Sequence, residues 1–73
     1  MKYYEKLKEL REDRDLRQID IAEILNTTQS YYGKYERGVH PIPIEHIQKL
    51  CILYNVSADY ILGLPKNMPY PER

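Results

Sequence analysis

Gln29, Ser30, Tyr31 and Lys34 stand close together in the run Gln29-Ser30-Tyr31-Tyr32-Gly33-Lys34-Tyr35-Glu36-Arg37-Gly38. At helical spacing Gln29, Ser30, Gly33 and Lys34 share one face, while Tyr32 and Tyr35 fall on another. An amide such as that of Gln29 can bond N6 and N7 of an adenine together, and the Ser30 hydroxyl suits either base type. Lys34, about one turn further on, can reach guanine O6 and N7 or a phosphate. Tyr31 can touch a thymine methyl or a phosphate oxygen. Short or fork-like polar groups near the N-terminal end of a helix are the groups that go deepest into a major groove. The same residues also fit a plain solvated helix face.

Such a helix has to be held at an angle by others. Upstream, Ile21, Ala22 and Leu25 make a narrow apolar stripe that Ile19 and Ile24 widen, which predicts a helix from about 17 to 25. Asp15 and Gln18 match a capping box, an acceptor with Gln three residues on. Asn26-Thr27-Thr28 reads as a turn. Asn26 tolerates the left-handed conformation that ends a helix, and Thr28 can cap the next one. That next helix runs from Gln29 to about Arg37 and stops at Gly38. Two short helices joined by a tight polar turn make a helix-turn-helix.

The remaining elements frame this pair. Tyr3, Leu7, Leu10 and Arg14 recur at helical steps and predict a first helix over 3–14, with Glu and Lys on its outer face. Asp13 and Asp15 suit a turn. Val39 to Pro43 is a connector, and Pro43 suits the first position of a fourth helix carrying Ile44, Ile47, Leu50, Cys51 and Tyr54. Ser57 can cap a short fifth helix with Tyr60, Ile61 and Leu62, ended by Gly63. Pro65, Pro69 and Pro71 with few anchors mark residues 65–73 as a mobile tail. The expectation is an all-α, compact five-helix domain over residues 1–64, with no repeats and no strand-like alternation.

Bulk composition sets limits. The chain has 73 residues, which make one domain. A chain this short buries only about 60% of its unfolded surface, so each apolar position counts. Phe and Trp are absent, and Tyr is the large core-filling residue. Tyr32 and Tyr35 are therefore read as core rather than as stacking platforms, which serve single strands. Cys51 alone excludes an internal disulfide or a multi-cysteine zinc site and fits a reducing cytoplasm. It reads as a small core residue. His40 and His46 have no partners at metal-ligand spacing, so neither a metal nor a cofactor is expected. No apolar run approaches the roughly 20 residues of a membrane span. The stretch Met1 to Lys6 has no apolar region of a signal peptide. Net charge is +0. That weighs against a nucleic-acid partner, although Lys34 and Arg37 leave the region around Gln29 to His40 locally positive.

The ordered set of motifs resembles the phage repressor and Cro family of helix-turn-helix proteins, the xenobiotic-response-element type. It covers about residues 4–64. The matching parts are Leu7…Leu10-Arg11…Arg14, Gln18-x-x-Ile21-Ala22-x-x-Leu25, the run Thr28 to Gly38, Pro43-Ile44-Glu45-x-Ile47-x-x-Leu50, and Tyr54 to Gly63. The resemblance implies a five-helix domain that binds duplex DNA sequence-specifically and represses transcription in a bacterium or phage. On that basis Gln18 contacts a phosphate, in addition to or instead of capping, and so does Arg37. Arg17 and His40 are further phosphate candidates, with Arg11 and Arg14 behind them. Glu36 repels phosphate, and the resemblance implies that it pairs internally with Arg11 or Arg14. The chain departs from the family at Arg17, where Thr or Ser is usual, at Asn26, often Gly, and at Gly33, which replaces a longer polar residue.

The resemblance therefore implies a cytoplasmic regulator that binds double-stranded DNA as a homodimer on a palindromic site. Tyr60, Leu64, Met68 and Tyr70 are candidates for the dimer surface, and no membrane or small-molecule partner is evident. The alternative is a protein-interaction module, antitoxin-like, with DNA binding weak or lost. An enzyme is not expected, because no nucleophile-base or paired-carboxylate arrangement stands at a usable spacing.

Overall fold

Helix ends, more than helix interiors, fix where each element of this chain starts and stops. The computed structural model describes residues 1–66, 68, 69 and 71. Among these there are five helices and no strands: α1 Tyr3–Asp13, α2 Gln18–Ile24, α3 Gln29–Glu36, α4 Ile44–Tyr54 and α5 Ala58–Leu62.

At the head of α1 the Glu5 carboxylate accepts from the Lys2 backbone N–H at 2.8 Å, satisfying a donor that the helix leaves free. The helix ends before Asp15, which takes a left-handed φ of 55°. That conformation withdraws Asp15 from the capping role expected with Gln18. The start of α2 is instead closed by Asp20, whose carboxylate accepts from the Arg17 N–H at 2.7 Å. Asn26, at φ 57°, makes the turn as expected. Thr28 Oγ1 then accepts from Tyr31 N at 3.1 Å, and Ser57 Oγ from Tyr60 N at 3.2 Å. Pro43 is the N-cap of α4, one place earlier than expected, with extended backbone. Asn55 and Gly63, both left-handed, terminate α4 and α5.

One core joins the helices. Leu7 and Leu10 of α1, Ile21, Ala22 and Leu25 around α2, Tyr32 and Tyr35 of α3, Ile47, Leu50 and Tyr54 of α4 and Ile61 of α5 are all buried together. Each buried Leu or Ile contributes roughly 1.5–3 kcal/mol by leaving water. The two α3 tyrosines meet edge to face with ring centroids 6.1 Å apart. Two expected stripe members lie outside. Ile24 and Ile44 are exposed, because α2 and α4 each turn only one narrow face inward and these residues sit off it. Cys51 is half-buried against the core. Burial raises its thiol pKa.

Candidate nucleic-acid interface

The orientation of α3 is set from below by a buried ion pair. Glu36 is buried at the C-terminal end of the helix, where a carboxylate opposes the helix dipole. It survives there because Arg11 of α1 meets it with two hydrogen bonds, Nε to Oε2 at 2.7 Å and Nη2 to Oε1 at 3.0 Å. A third comes from Gln18 of α2, whose Nε2 donates to Oε1 at 3.2 Å. Burial pushes the Glu36 pKa up, but Arg11, then the neighbouring Tyr32 hydroxyl and Gln18, outweigh it and leave the group below an ordinary carboxylate. Arg11 also donates to the Leu16 carbonyl at 2.9 Å, which fixes the turn into α2. One carboxylate thus ties three helices together. Its internal pairing agrees with the expectation for Glu36, and Arg11, not Arg14, is the partner.

The outer side of α3 carries the candidates for base contact. Gln29, Ser30 and Tyr31 are exposed, and Lys34 is half-exposed. Gln18, Gln29, Ser30, Gly33 and Arg37 together line a shallow polar depression of about 350 Å³. Beside it is a second group. Tyr31 packs on His40 with ring centroids 5.4 Å apart, and Lys34 Nζ lies 5.8 Å from the Tyr31 ring centroid. Val39 and His40 both donate backbone N–H to the Lys34 carbonyl, at 2.9 and 3.3 Å, and this brings His40 back against α3. The structure therefore gathers seven of the eight sequence candidates around one helix face. Because Glu36 is turned inward, α3 exposes Lys34 and no acid, and Arg37 follows immediately. A chain of zero net charge presents a cationic patch here.

The eighth candidate, Arg17, lies at the start of α2 and is paired. Its Nη2 meets Asp20 Oδ1 at 3.0 Å in an exposed pair. The signal was present in the sequence as an Arg-x-x-Asp spacing at a helix start. The two weaker candidates are engaged elsewhere. Arg11 holds Glu36, and Arg14 donates to the Tyr54 carbonyl at 2.7 Å while lying over that ring.

This arrangement is that of a helix-turn-helix, with α2 and α3 as the pair. The pattern that defines the helix-turn-helix family matches residues 7–61. The chain belongs to that family, in its Cro/C1 branch. Among curated proteins it is 39% identical over 62 residues to the uncharacterized HTH-type transcriptional regulator YobD of Bacillus subtilis, covering 85% of this chain and 55% of that one. It is 40% identical over 58 residues to the HTH-type transcriptional regulator ImmR of the same organism, covering 80% and 46%. It is 33% identical over 60 residues to the antitoxin PezA of Streptococcus pneumoniae, covering 82% and 38%. The chain thus spans about half the length, or less, of the curated relatives it matches. A transcriptional regulator from Listeria innocua has the same fold, with TM-score 0.83 at 24% identity over 96% of this chain and 65% of the other. So has the P22 c2 repressor, solved with a synthetic operator, at TM-score 0.76 and 19% identity over 85% and 94%.

Proposed function

We propose that this chain is a sequence-specific double-stranded DNA-binding unit of a transcriptional regulator, a repressor, with residues 29–37 as the helix that enters the major groove. The observation that carries the proposal is the outer face of α3: hydrogen-bonding side chains free to face a base edge, the one acid turned inward, and two cations beside them. Gln29, Ser30, Tyr31 and Lys34 read bases. Gln18, Arg37 and His40 hold phosphates and so fix the register without reading sequence, and Arg17 joins them only by leaving Asp20. Family membership and the named regulators among the relatives support the same reading. So does the likeness in fold to a repressor solved on operator DNA.

The binding unit is residues 1–64. Two copies sit on a palindrome with half-sites about 34 Å apart, one helical turn. Tyr60, Leu64 and Met68, all exposed, supply the contact between copies, while Tyr70 lies outside the described residues. No helix among the described residues is long and apolar enough to cross a membrane. The test is selection from a random duplex pool in about 100 mM salt, a range where phosphate contacts still count. The wild type should enrich a palindrome, and the Gln29→Ala/Lys34→Ala variant should lose the consensus while keeping weak general binding. Failure of the wild type to enrich any site would overturn the reading. It would favour a protein-docking role, for which the likeness to an antitoxin is the supporting observation.

A further inference from the structure

Gly33 is a poor helix former in the middle of α3, and its backbone is ordinary right-handed helix, so no turn requires it there. What it leaves open is informative. A Cβ built on Gly33 would stand 3.1 Å from Arg37 Nη1 and 3.4 Å from Gln18 Oε1. The space of the absent side chain is taken by the Arg37 guanidinium and the Gln18 amide. Arg37, four residues on, lies on the same side of the helix as Gly33, and both line the polar depression with Gln18. Gln18 is fixed, since one N–H of its amide is held by the buried Glu36 carboxylate. A side-chain amide has two N–H groups, so one remains to give. Arg37 is exposed, and its guanidinium makes no hydrogen bond among the described residues. A planar cationic fork thus lies beside an anchored amide, whose oxygen faces Gly33 and whose nitrogen is held by Glu36, over bare backbone.

We propose that Gly33 is a positioning residue. Carrying no side chain, it seats the Arg37 guanidinium against α3 beside Gln18, so that the two grip a single DNA backbone phosphate as one unit. The proposal rests on the DNA-binding reading above. The fixed fork of arginine rewards such seating, because its charge-assisted bonds form only in the right plane. A β-carbon at 33 crowds the guanidinium at 3.1 Å and shifts it off this seat beside Gln18. The closest group to that β-carbon is the far end of a flexible side chain, so the substitution costs the fold little, and the better helix propensity of Ala stabilises it.

The experiment compares wild type, Gly33→Ala, Arg37→Ala and the double variant in two readouts. The first is titration with inorganic phosphate, followed by NMR at the Gln18 side-chain amide and the Arg37 Nε–H. In the wild type the two signals move together, with one apparent constant. In Gly33→Ala the Arg37 signal no longer follows Gln18. The second is affinity for the duplex that the wild type selects. Gly33→Ala binds roughly tenfold more weakly, the loss of one charge-assisted contact, and its salt slope falls by about 0.9, while its Tm rises by a few degrees. In the Arg37→Ala background the same substitution has no effect on affinity. Unchanged affinity, an equal loss without Arg37, or separate responses of Gln18 and Arg37 to phosphate would each overturn the proposal. A changed base preference at constant salt slope would overturn it too, by making Gly33 part of base readout. If the wild type selects no duplex, the DNA-binding reading fails, and the phosphate titration still decides the seat.

Discussion

Replacing Arg11 by Met removes the partner of a carboxylate that has nowhere else to go. The Glu36 side chain is 2% exposed and that of Arg11 11%, so this is a buried pair. Removing one partner of such a pair costs about 3–5 kcal/mol, because the other charge stays buried and uncompensated. At about 0.05–0.15 kcal/mol per residue, a chain of 73 residues has roughly 4–11 kcal/mol in total. The variant should therefore be marginal at neutral pH. In urea, with a slope of about 1 kcal/mol per M for a small domain, its midpoint should fall by about 3 M or more.

The pH dependence separates this cause from lost packing. In the wild type the Glu36 pKa is below its unfolded value. Its contribution is complete above the unfolded pKa of about 4.3 and is lost as pH falls through the folded pKa. In Arg11→Met, burial remains and the strongest opposing hydrogen bond is gone, so the carboxyl titrates above its unfolded value. The penalty is then full at pH 7 and vanishes below the unfolded pKa. The stability gap between the two proteins should be widest near pH 7 and narrow by about pH 4. Arg11→Met/Glu36→Leu, which removes both charges, should recover most of the loss at every pH. A gap under about 1 kcal/mol, the value for an exposed pair, or a gap that does not change with pH, would refute the reasoning.

Other substitutions have equally definite outcomes. Gly38 has a φ of +73°, and a Cβ there would lie 2.6 Å from the Tyr4 ring, so Gly38→Ala should lower stability by more than about 1–2 kcal/mol. Thermal unfolding should show this as a fall of several degrees, and Gly38→Ala/Tyr4→Ala should recover only the steric part. Asp20→Asn keeps an acceptor for the Arg17 N–H but releases the guanidinium now held at 3.0 Å. It should tighten binding to duplex DNA and steepen the salt slope by about 0.9, with Tm nearly unchanged. Equal affinity and slope would mean that Arg17 is remote from the phosphates even when free.

The five helices were legible in the sequence because local chemistry sets them. Apolar residues recur at steps of three and four around Leu7, Ile21, Tyr32 and Ile47, and Thr28 and Ser57 can accept only at helix starts. Asn26, Gly38 and Gly63 tolerate the left-handed backbone that ends helices. The polar outer face of α3 was legible for the same reason, since Gln29, Ser30 and Lys34 share a side opposite two buried tyrosines. Tertiary structure decided which polar groups are free. Whether Arg17, Arg11, Arg14 or Arg37 is available depends on which carboxylate or carbonyl lies beside it. Of these, the partners of Arg11 and Arg14 are 25 and 40 residues away. The capping of α2 went to Asp20 because Asp15 was needed to reverse the chain after α1. The place of Ile24 and Ile44 outside the core was likewise beyond periodicity, which gives a face but not how wide a strip of it the neighbouring helices cover. Sequence alone determined the elements and the inventory of chemical groups. The packing of α1, α2 and α3 around one buried carboxylate decided which of those groups face outward with nothing to hold, because an ion pair forms between whatever the fold brings within a few ångströms.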